Sequence, residues 1–340
     1  MSDQRTWCQR TGVWYVWWLP APTKSNFPPV RYRMEQSRQN PSTLQEPSLP
    51  LEMRAEAISS YQTVHPRPEP PPRRRVLLPL GLFLATCYST YYVGTLQFGE
   101  PGGLEYMFAV MGILLTHEMG HFLQALRHHV PASLPFFIPM PQLTGTMGAV
   151  IVQGANSNRL QLFDIGISGP LAGLVVAIPV TCIGILNANV APELPGGAHV
   201  LHFGDPLFVK LLIWWLRDLP FGTELILNPY LMAGWFGLLL TGLNMMPLSQ
   251  LDGGHVTYAL MGRHAHTLAH LLAIAAIAAM VITANYQFVV MLVLVLLIGL
   301  DHPPTSDDTV ELGRGRTILG YASLIIPILC FTPIPVSYPG

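Results

Sequence analysis

The sequence predicts an all-α polytopic membrane protein with about six to seven transmembrane helices and a re-entrant β-hairpin segment. Only 11% of its 340 residues are charged, against about 25% in an ordinary soluble domain, and its mean hydropathy is +0.39. Several uncharged runs are long enough to cross a hydrocarbon core of roughly 30 Å. A net charge of -1, without a basic cluster interleaved with aromatic residues, excludes a nucleic-acid-binding protein.

The first 75 residues differ from the rest of the chain. They contain twelve prolines, many Ser, Gln, Arg and Glu residues, and no sustained periodicity. We expect residues 1–75 to be a disordered cytoplasmic segment and residues 76–340 to form one membrane-embedded domain. The run GVWYVWWLP at residues 12–20 is too short to span a membrane. It is open to two interpretations: an anchor at the membrane surface, or an extension upstream of a translation start at Met34.

The apolar runs predict the crossings in chain order. Single crossings are predicted over residues 76–98, 104–126, 160–186 and 225–251. Residues 267–300 are too many for one helix and predict a tight pair broken near Asn285. Residues 317–337 predict a last crossing bent by its prolines. Residues 208–219, with two tryptophans and two basic residues, predict an interfacial helix on the outer face.

One apolar run predicts a different structure. Residues 132–152 carry no charge, but Pro135, Pro139 and Pro141 argue against a helix through them. Non-helical backbone at membrane depth is tolerated only where protein or water covers it. We therefore expect a re-entrant segment that contains a β-hairpin turning near Gly145.

Basic residues predict the orientation in the bilayer, because they concentrate on the cytoplasmic side of membrane proteins. With seven crossings, only Lys210 and Arg217 would lie outside. The N-terminus is then cytoplasmic in an integral multi-pass protein. The arginines that would lie inside are Arg73, Arg74, Arg75, Arg127, Arg159, Arg263, Arg314 and Arg316.

The second predicted crossing contains the stretch LLTHEMGHF, in which ionisable residues interrupt an apolar helix. His117 and His121 are four residues apart and project from one helix face, so both imidazoles can reach one zinc ion. Glu118 lies about 100° round the helix, which suits a general base that acts on a zinc-activated water. The alternative is a set of polar residues that satisfy one another at a helix interface.

A catalytic zinc site needs a third protein ligand and an open position. The sequence setting favours Asp252, because Pro247 ends the helical run and Gly253 with Gly254 lets the backbone turn toward the metal. Asp164 has a second interpretation, as an interfacial residue near Arg159. The carboxylates and histidines at a suitable depth are Asp164, Asp252, His255, His270 and Asp301.

Four segments in this order resemble the site-2 protease family of intramembrane zinc metalloproteases. They are HEMGH, GTMGA, ISGPLAG and NPYLMAGWFGLLLTGLNMMPLSQLDGGH. The resemblance covers residues 76–336 and is closest to the compact branch that includes plastid proteases, which shares an HPP segment like that at His302. About 38 residues separate the third and fourth predicted crossings, too few for a PDZ domain of about 90 residues.

The resemblance implies a fold, a site and a substrate class. It implies Zn2+ held by His117, His121 and Asp252, with Glu118 as catalytic base. It implies that Asn244 lies near the active site, where it would hold substrate or an oxyanion. The substrate would be a transmembrane protein in the lipid bilayer, cleaved in or near its membrane helix. Two other classes stay open, a metal transporter and a catalytically inactive scaffold.

Overall fold

A computed structural model describes residues 76–153, 157–191, 202–248 and 250–337 of the chain. The predictions for residues 1–75, including the tryptophan-rich run and Met34, lie outside these residues. The helices are α1 (Leu77–Arg127), α2 (Arg159–Asn187), α3 (Leu207–Arg217), α4 (Pro229–Asn244), α5 (Asp252–Met261), α6 (His264–Thr283), α7 (Val289–Ile298), α8 (Gly313–Ser323) and α9 (Ile326–Cys330). The strands are β1 (Phe136–Pro139), β2 (Thr146–Val150), β3 (His202–Phe203) and β4 (Val336–Ser337).

The described part of the chain is mostly helical, as predicted. Within it, three helices, α1, α2 and α6, are long and apolar enough to cross a membrane, and α7 is a shorter apolar helix. These features confirm a helical protein with membrane-length apolar segments.

Helix α1 is folded back on itself and contains the first two predicted crossings. Its helical geometry is interrupted at Gly99, where φ is +68°, and at Glu100. The two arms then run side by side, because a Cβ at Gly94 would lie only 2.9 Å from the ring of Tyr106 and 3.1 Å from the Cα of Gly103. Glycine at these positions therefore permits both the reversal and the close approach of the arms.

Helices α1, α2 and α4 form the centre of the membrane domain. Helices α2 and α4 approach closely where glycines replace side chains: a Cβ at Gly184 would lie 2.3 Å from the amide nitrogen of Leu231, and one at Gly234 would lie 2.2 Å from Thr181 Oγ1. The ring of Trp235 on α4 is almost fully buried among residues of α1. Within this three-helix core, α1 carries two residues of the candidate site, His117 and His121.

The predicted β-hairpin is confirmed. Strands β1 and β2 pair antiparallel, with Phe137 opposite Ala149. The turn includes Gly145, where φ is +82° and a Cβ would lie 2.6 Å from Thr90 Cα on α1. The hairpin is therefore pressed against the first arm of α1, and glycine is required at its turn.

The predicted crossing over residues 225–251 contains a shorter helix. Helix α4 begins at Pro229, after an N-cap in which the Asn228 side chain accepts a hydrogen bond from Leu231 N at 2.9 Å. It ends at Asn244 because Pro247 disfavours helical geometry in the residue before it. The chain then makes tight turns before α5.

The C-terminal part of the chain agrees with the predictions in one region and departs from them in another. The break predicted near Asn285 is confirmed, since α6 ends at Thr283 and α7 begins at Val289. The crossing predicted over residues 317–337 is instead divided into α8, α9 and β4. The prolines there, which cannot continue a helical hydrogen-bond ladder, explain the division. Strand β4 pairs with β3, a sheet that the sequence did not predict.

Candidate metal centre

Two imidazoles and one carboxylate converge between α1 and α5. The Nε2 atoms of His117 and His121 lie 3.3 Å apart, and Asp252 Oδ2 lies 3.2 Å from the first and 3.3 Å from the second. Both histidines are buried, at 4% and 5% exposure. Two nitrogen donors and one oxygen donor directed at one point are the ligand set that a zinc-type divalent ion prefers. In the described part of the chain, these three residues are the one group of this kind.

The imidazole of His121 is oriented by a backbone group on α2. Its Nδ1 lies 2.7 Å from the carbonyl oxygen of Ile165. Since a carbonyl only accepts, Nδ1 carries the hydrogen, and the lone pair of the neutral ring lies on Nε2, toward Asp252. A partner on the second ring nitrogen is the usual support for a metal-ligating histidine.

Asp252 reaches the two histidines because of the glycine that follows it. It is the first residue of α5, and no side chain caps that end of the helix. A Cβ at Gly253 would lie 2.0 Å from the carbonyl oxygen of Met245. Only glycine therefore allows α5 to start so close to the turn that follows α4, which explains the local sequence LDGG.

The face of α2 that meets the ligands is made of glycines. A Cβ at Gly169 would lie 2.0 Å from His121 Nε2, and one at Gly173 would lie 3.0 Å from His117 Nδ1. Gly120 contributes from α1, since a Cβ there would lie 2.6 Å from the carbonyl oxygen of Ser168. Gly169 and Gly173 belong to the segment ISGPLAG and Gly120 belongs to HEMGH, but no role was predicted for any of the three. The four-residue spacing of Gly169 and Gly173, which places both on one helix face, was the available signal.

Glu118 is buried beside the ligands. It follows His117 directly on α1 and has 4% exposure. It lies about 100° round the helix from His117 and is not one of the three converging residues. The cluster of possible metal ligands therefore has a buried carboxylate next to it on the same helix.

The other predicted ligand candidates have different partners. Asp164 accepts two hydrogen bonds from Arg316, at 2.6 and 3.0 Å, and lies 2.9 Å from His128 Nε2. Asp164 was predicted near Arg159 at the start of α2, and Arg159 is not its ion-pair partner. The Arg159 side chain instead donates to the carbonyl oxygens at the end of α5, which satisfies groups that a helix end leaves unpaired.

The remaining candidates also have other partners. His255 Nδ1 lies 2.7 Å from His302 Nε2. His270 Nδ1 lies 3.7 Å from Asp301 Oδ1, and the Asp301 side chain is 65% exposed. None of the three belongs to the ligand cluster found among the described residues.

Asn244 lies beside the hairpin. It is the last residue of α4 and lines a cavity of about 1340 Å³ together with Thr146 and Met147 of β2. On the opposite side, the cavity is lined by residues of α7 and of the turn before it, including Met291. The walls are mainly apolar, and the lining residues with polar side chains are Thr144, Thr146, Asn244, Thr283, Asn285, Tyr286 and Gln287.

Comparison with known proteins identifies a peptidase family and zinc metalloproteases as relatives. The model of peptidase family M50 matches residues 105–285. Probable zinc metalloprotease EGY2, chloroplastic, of Arabidopsis thaliana is 29% identical over 262 residues, which cover 72% of this chain and 44% of that protein. Probable zinc metalloprotease EGY1, chloroplastic, of Arabidopsis thaliana is 28% identical over 239 residues, covering 68% of this chain and 43% of that protein. The chain thus spans less than half the length of these curated relatives. The family match includes HEMGH and LDGG and extends over more than half of the 340 residues, so the chain belongs to peptidase family M50.

Proposed function

We propose that this chain is an intramembrane zinc metalloprotease that hydrolyses peptide bonds in or near the transmembrane helices of membrane proteins. The observation that carries the proposal is the convergence of His117, His121 and Asp252, with Glu118 buried beside them, on a helix of membrane-spanning length and composition. Membership of a peptidase family and the zinc metalloprotease names of the relatives support it.

We assign the metal to these three ligands. Two neutral imidazoles and one carboxylate leave a divalent ion with a net positive charge, and three protein ligands leave a position open for chemistry. Zinc held there would lower the pKa of water to about 7 and polarise the scissile carbonyl. Side chains at positions 169 and 173 of α2 would overlap His121 and His117, so the glycines there leave room for the two imidazoles.

We assign proton transfer to Glu118. Its carboxylate takes the proton from the attacking water and holds it while the peptide bond breaks. It then gives the proton to the amine nitrogen of the leaving segment. A side chain in the ligand shell would be unsuitable for this role, because its lone pairs would be bound to the ion.

We assign substrate binding to the cavity between the hairpin, α4 and α7. A substrate helix must unwind before hydrolysis, because its amides are otherwise bonded within the helix. Among the described residues β2 has one paired neighbour, β1. Its other edge would accept the unwound segment by strand addition, and Asn244 would hold a polar group of the same segment.

Cross-linking tests the place of the substrate. In a Glu118→Gln chain whose four native cysteines are serine, Met147→Cys should form a disulfide with a cysteine near the scissile bond of a bound substrate. Tyr321→Cys on α8 is a matched control, because the two native side chains are similarly exposed, at 52% and 50%. We expect several-fold more cross-linked product at position 147, measured on gels. Equal yields at both positions would contradict substrate binding at the hairpin.

We also propose that the chain crosses the membrane six to seven times and has a cytoplasmic N-terminus. The three membrane-length helices and the distribution of arginines support this topology. In sealed vesicles of known orientation, an impermeant thiol reagent should label Lys210→Cys only from outside and Arg314→Cys only from inside. Labelling of both from the same side would contradict the topology.

Removal of the metal tests the whole function. The full chain, reconstituted with a membrane-helix substrate, should lose cleavage when zinc is chelated and regain it when zinc is restored. Magnesium prefers oxygen ligands in octahedral geometry and should not restore cleavage. Mass spectrometry of the products would place the cut in or beside the membrane helix. A zinc-loaded protein that never cleaves would favour the scaffold, and zinc flux without cleavage would favour the transporter.

A further inference from the structure

The segment between α7 and α8 lies over α5, and we name it the strap (residues 299–312). Its His302 is only 7% exposed. The imidazole stacks on the ring of Tyr258, with centroids 4.5 Å apart and planes 20° apart. The Tyr258 hydroxyl donates to Asp308 Oδ2 at 3.0 Å. A histidine of a connecting segment is thus buried against the helix that begins with Asp252.

The hydrogen-bond directions between the strap and α5 follow from one backbone group. His302 Nδ1 lies 2.6 Å from the carbonyl oxygen of Pro303, so Nδ1 carries the hydrogen. The neutral ring then has its lone pair on Nε2, and His255 Nδ1, at 2.7 Å, must be the donor. Burial lowers the pKa of His302, which keeps this ring neutral at pH 7.

The first turn of α5 depends on contacts with its neighbours. The helix has ten residues, too few to hold its geometry alone, and its N-terminus has no side-chain cap. Asp252 and His255 are three residues apart and occupy the same turn. On the α2 side, a Cβ at Gly166 would lie 3.0 Å from His255 Cβ and 3.4 Å from the carbonyl oxygen of Asp252. The turn that presents Asp252 is therefore held between α2 and the strap.

We infer that His302 and His255 are positioning residues for the metal centre: their hydrogen bond holds the first turn of α5 against α2, so that Asp252 meets His117 and His121. The inference rests on the proposed function, because it takes these three residues as zinc ligands. It extends the site to a segment about 50 residues beyond the ligand it supports. Outer partners of metal ligands typically change metal affinity by about 10- to 100-fold when removed.

Two substitutions at His302 separate positioning from folding. A glutamine amide reaches the place of Nε2 and can accept from His255 Nδ1, whereas an asparagine amide ends near the place of Nδ1 and cannot. We expect His302→Asn to weaken zinc binding at least about tenfold and His302→Gln to stay within about threefold of wild type. Asp301→Asn, next to it on the strap, is the control and should bind zinc normally.

The measurements are the zinc dissociation constant, by competition with a chromophoric chelator, and the thermal midpoint of the metal-free protein. Both use the full chain in detergent. Metal-free midpoints that are alike, with zinc affinity lost only in His302→Asn, support the inference. Unchanged affinity in His302→Asn overturns it. Equal affinity losses in both variants with equal drops in the metal-free midpoint also overturn it, because the strap would then support only the fold.

Failure of the proposed function would give a different result. Wild-type protein would then take up no zinc, or His117→Ala would keep it, and the positioning role would fall with the ligand assignment. The positioning role alone would be overturned if wild type and His302→Asn both bound zinc normally while His117→Ala lost zinc binding.

Discussion

Replacement of Glu118 by glutamine is expected to lower hydrolysis of a membrane-helix substrate by about 10²- to 10⁴-fold while the protein keeps its zinc. The amide fills the same space but cannot take a proton from water. Because Glu118 is not one of the three converging ligands, zinc per chain should stay near one. Metal analysis and cleavage of a reconstituted substrate, on the same preparations, measure both quantities.

The ligand variants should behave differently from Glu118→Gln. Alanine at His117, His121 or Asp252 removes one of three protein ligands, so zinc content and activity should be lost together. Glu105→Gln repeats the glutamate exchange elsewhere on α1 and should leave both unchanged. Full activity in Glu118→Gln would remove the base from the mechanism. Full zinc and activity in Asp252→Ala would remove the third ligand.

The second large effect is expected when alanine, whose side chain is a single methyl group, replaces Gly169. Gly169→Ala places a Cβ about where His121 Nε2 lies, since the two positions are 2.0 Å apart. Either the imidazole rotates away from Ile165 and Asp252, or α2 moves away from α1. Overpacking of this kind typically costs about 1 to 3 kcal/mol, and the cost falls on the ligand geometry. We expect zinc affinity to fall at least about tenfold and activity to fall with it.

Other glycines supply the controls for this prediction. Gly112 lies on α1 with no atom within 4 Å of its Cβ position, so Gly112→Ala should be neutral. Gly173→Ala meets His117 Nδ1 at 3.0 Å and should have an intermediate effect. Zinc affinity and the thermal midpoint of the metal-free protein distinguish a damaged site from a damaged fold. Wild-type zinc binding in Gly169→Ala would contradict the close approach described for α1 and α2.

The sequence predicted those features whose cause is local. The pattern H-E-x-x-H sets the faces of His117, His121 and Glu118 by helix periodicity alone, and prolines close together mark the hairpin and the break of a helix. Asp252, which lies 131 residues beyond His121, was favoured by its own setting before Gly253 and Gly254, and the family resemblance named it as the third ligand. No local rule brings Asp252 and His121 together.

Features that depend on packing between distant segments could not be predicted. The need for glycine at position 169 becomes visible only when α1 is packed against α2. In the sequence, a glycine in an apolar run does not show whether a neighbouring helix approaches it. Asp164 was predicted as a ligand candidate or as an interfacial residue near Arg159, whereas its carboxylate pairs with Arg316, 152 residues away. The short pairing of β3 with β4 involves two residues on each strand, too few to leave a pattern.

The two strands of the hairpin differ in how well their free edges can pair with another strand. Proline lacks an N–H group, and Pro139 lies in β1 where the register with β2 is irregular. A strand edge interrupted in this way is a poor template for another chain. Strand β2 contains no proline, so we expect an extended substrate segment to add to the hairpin from the β2 side alone.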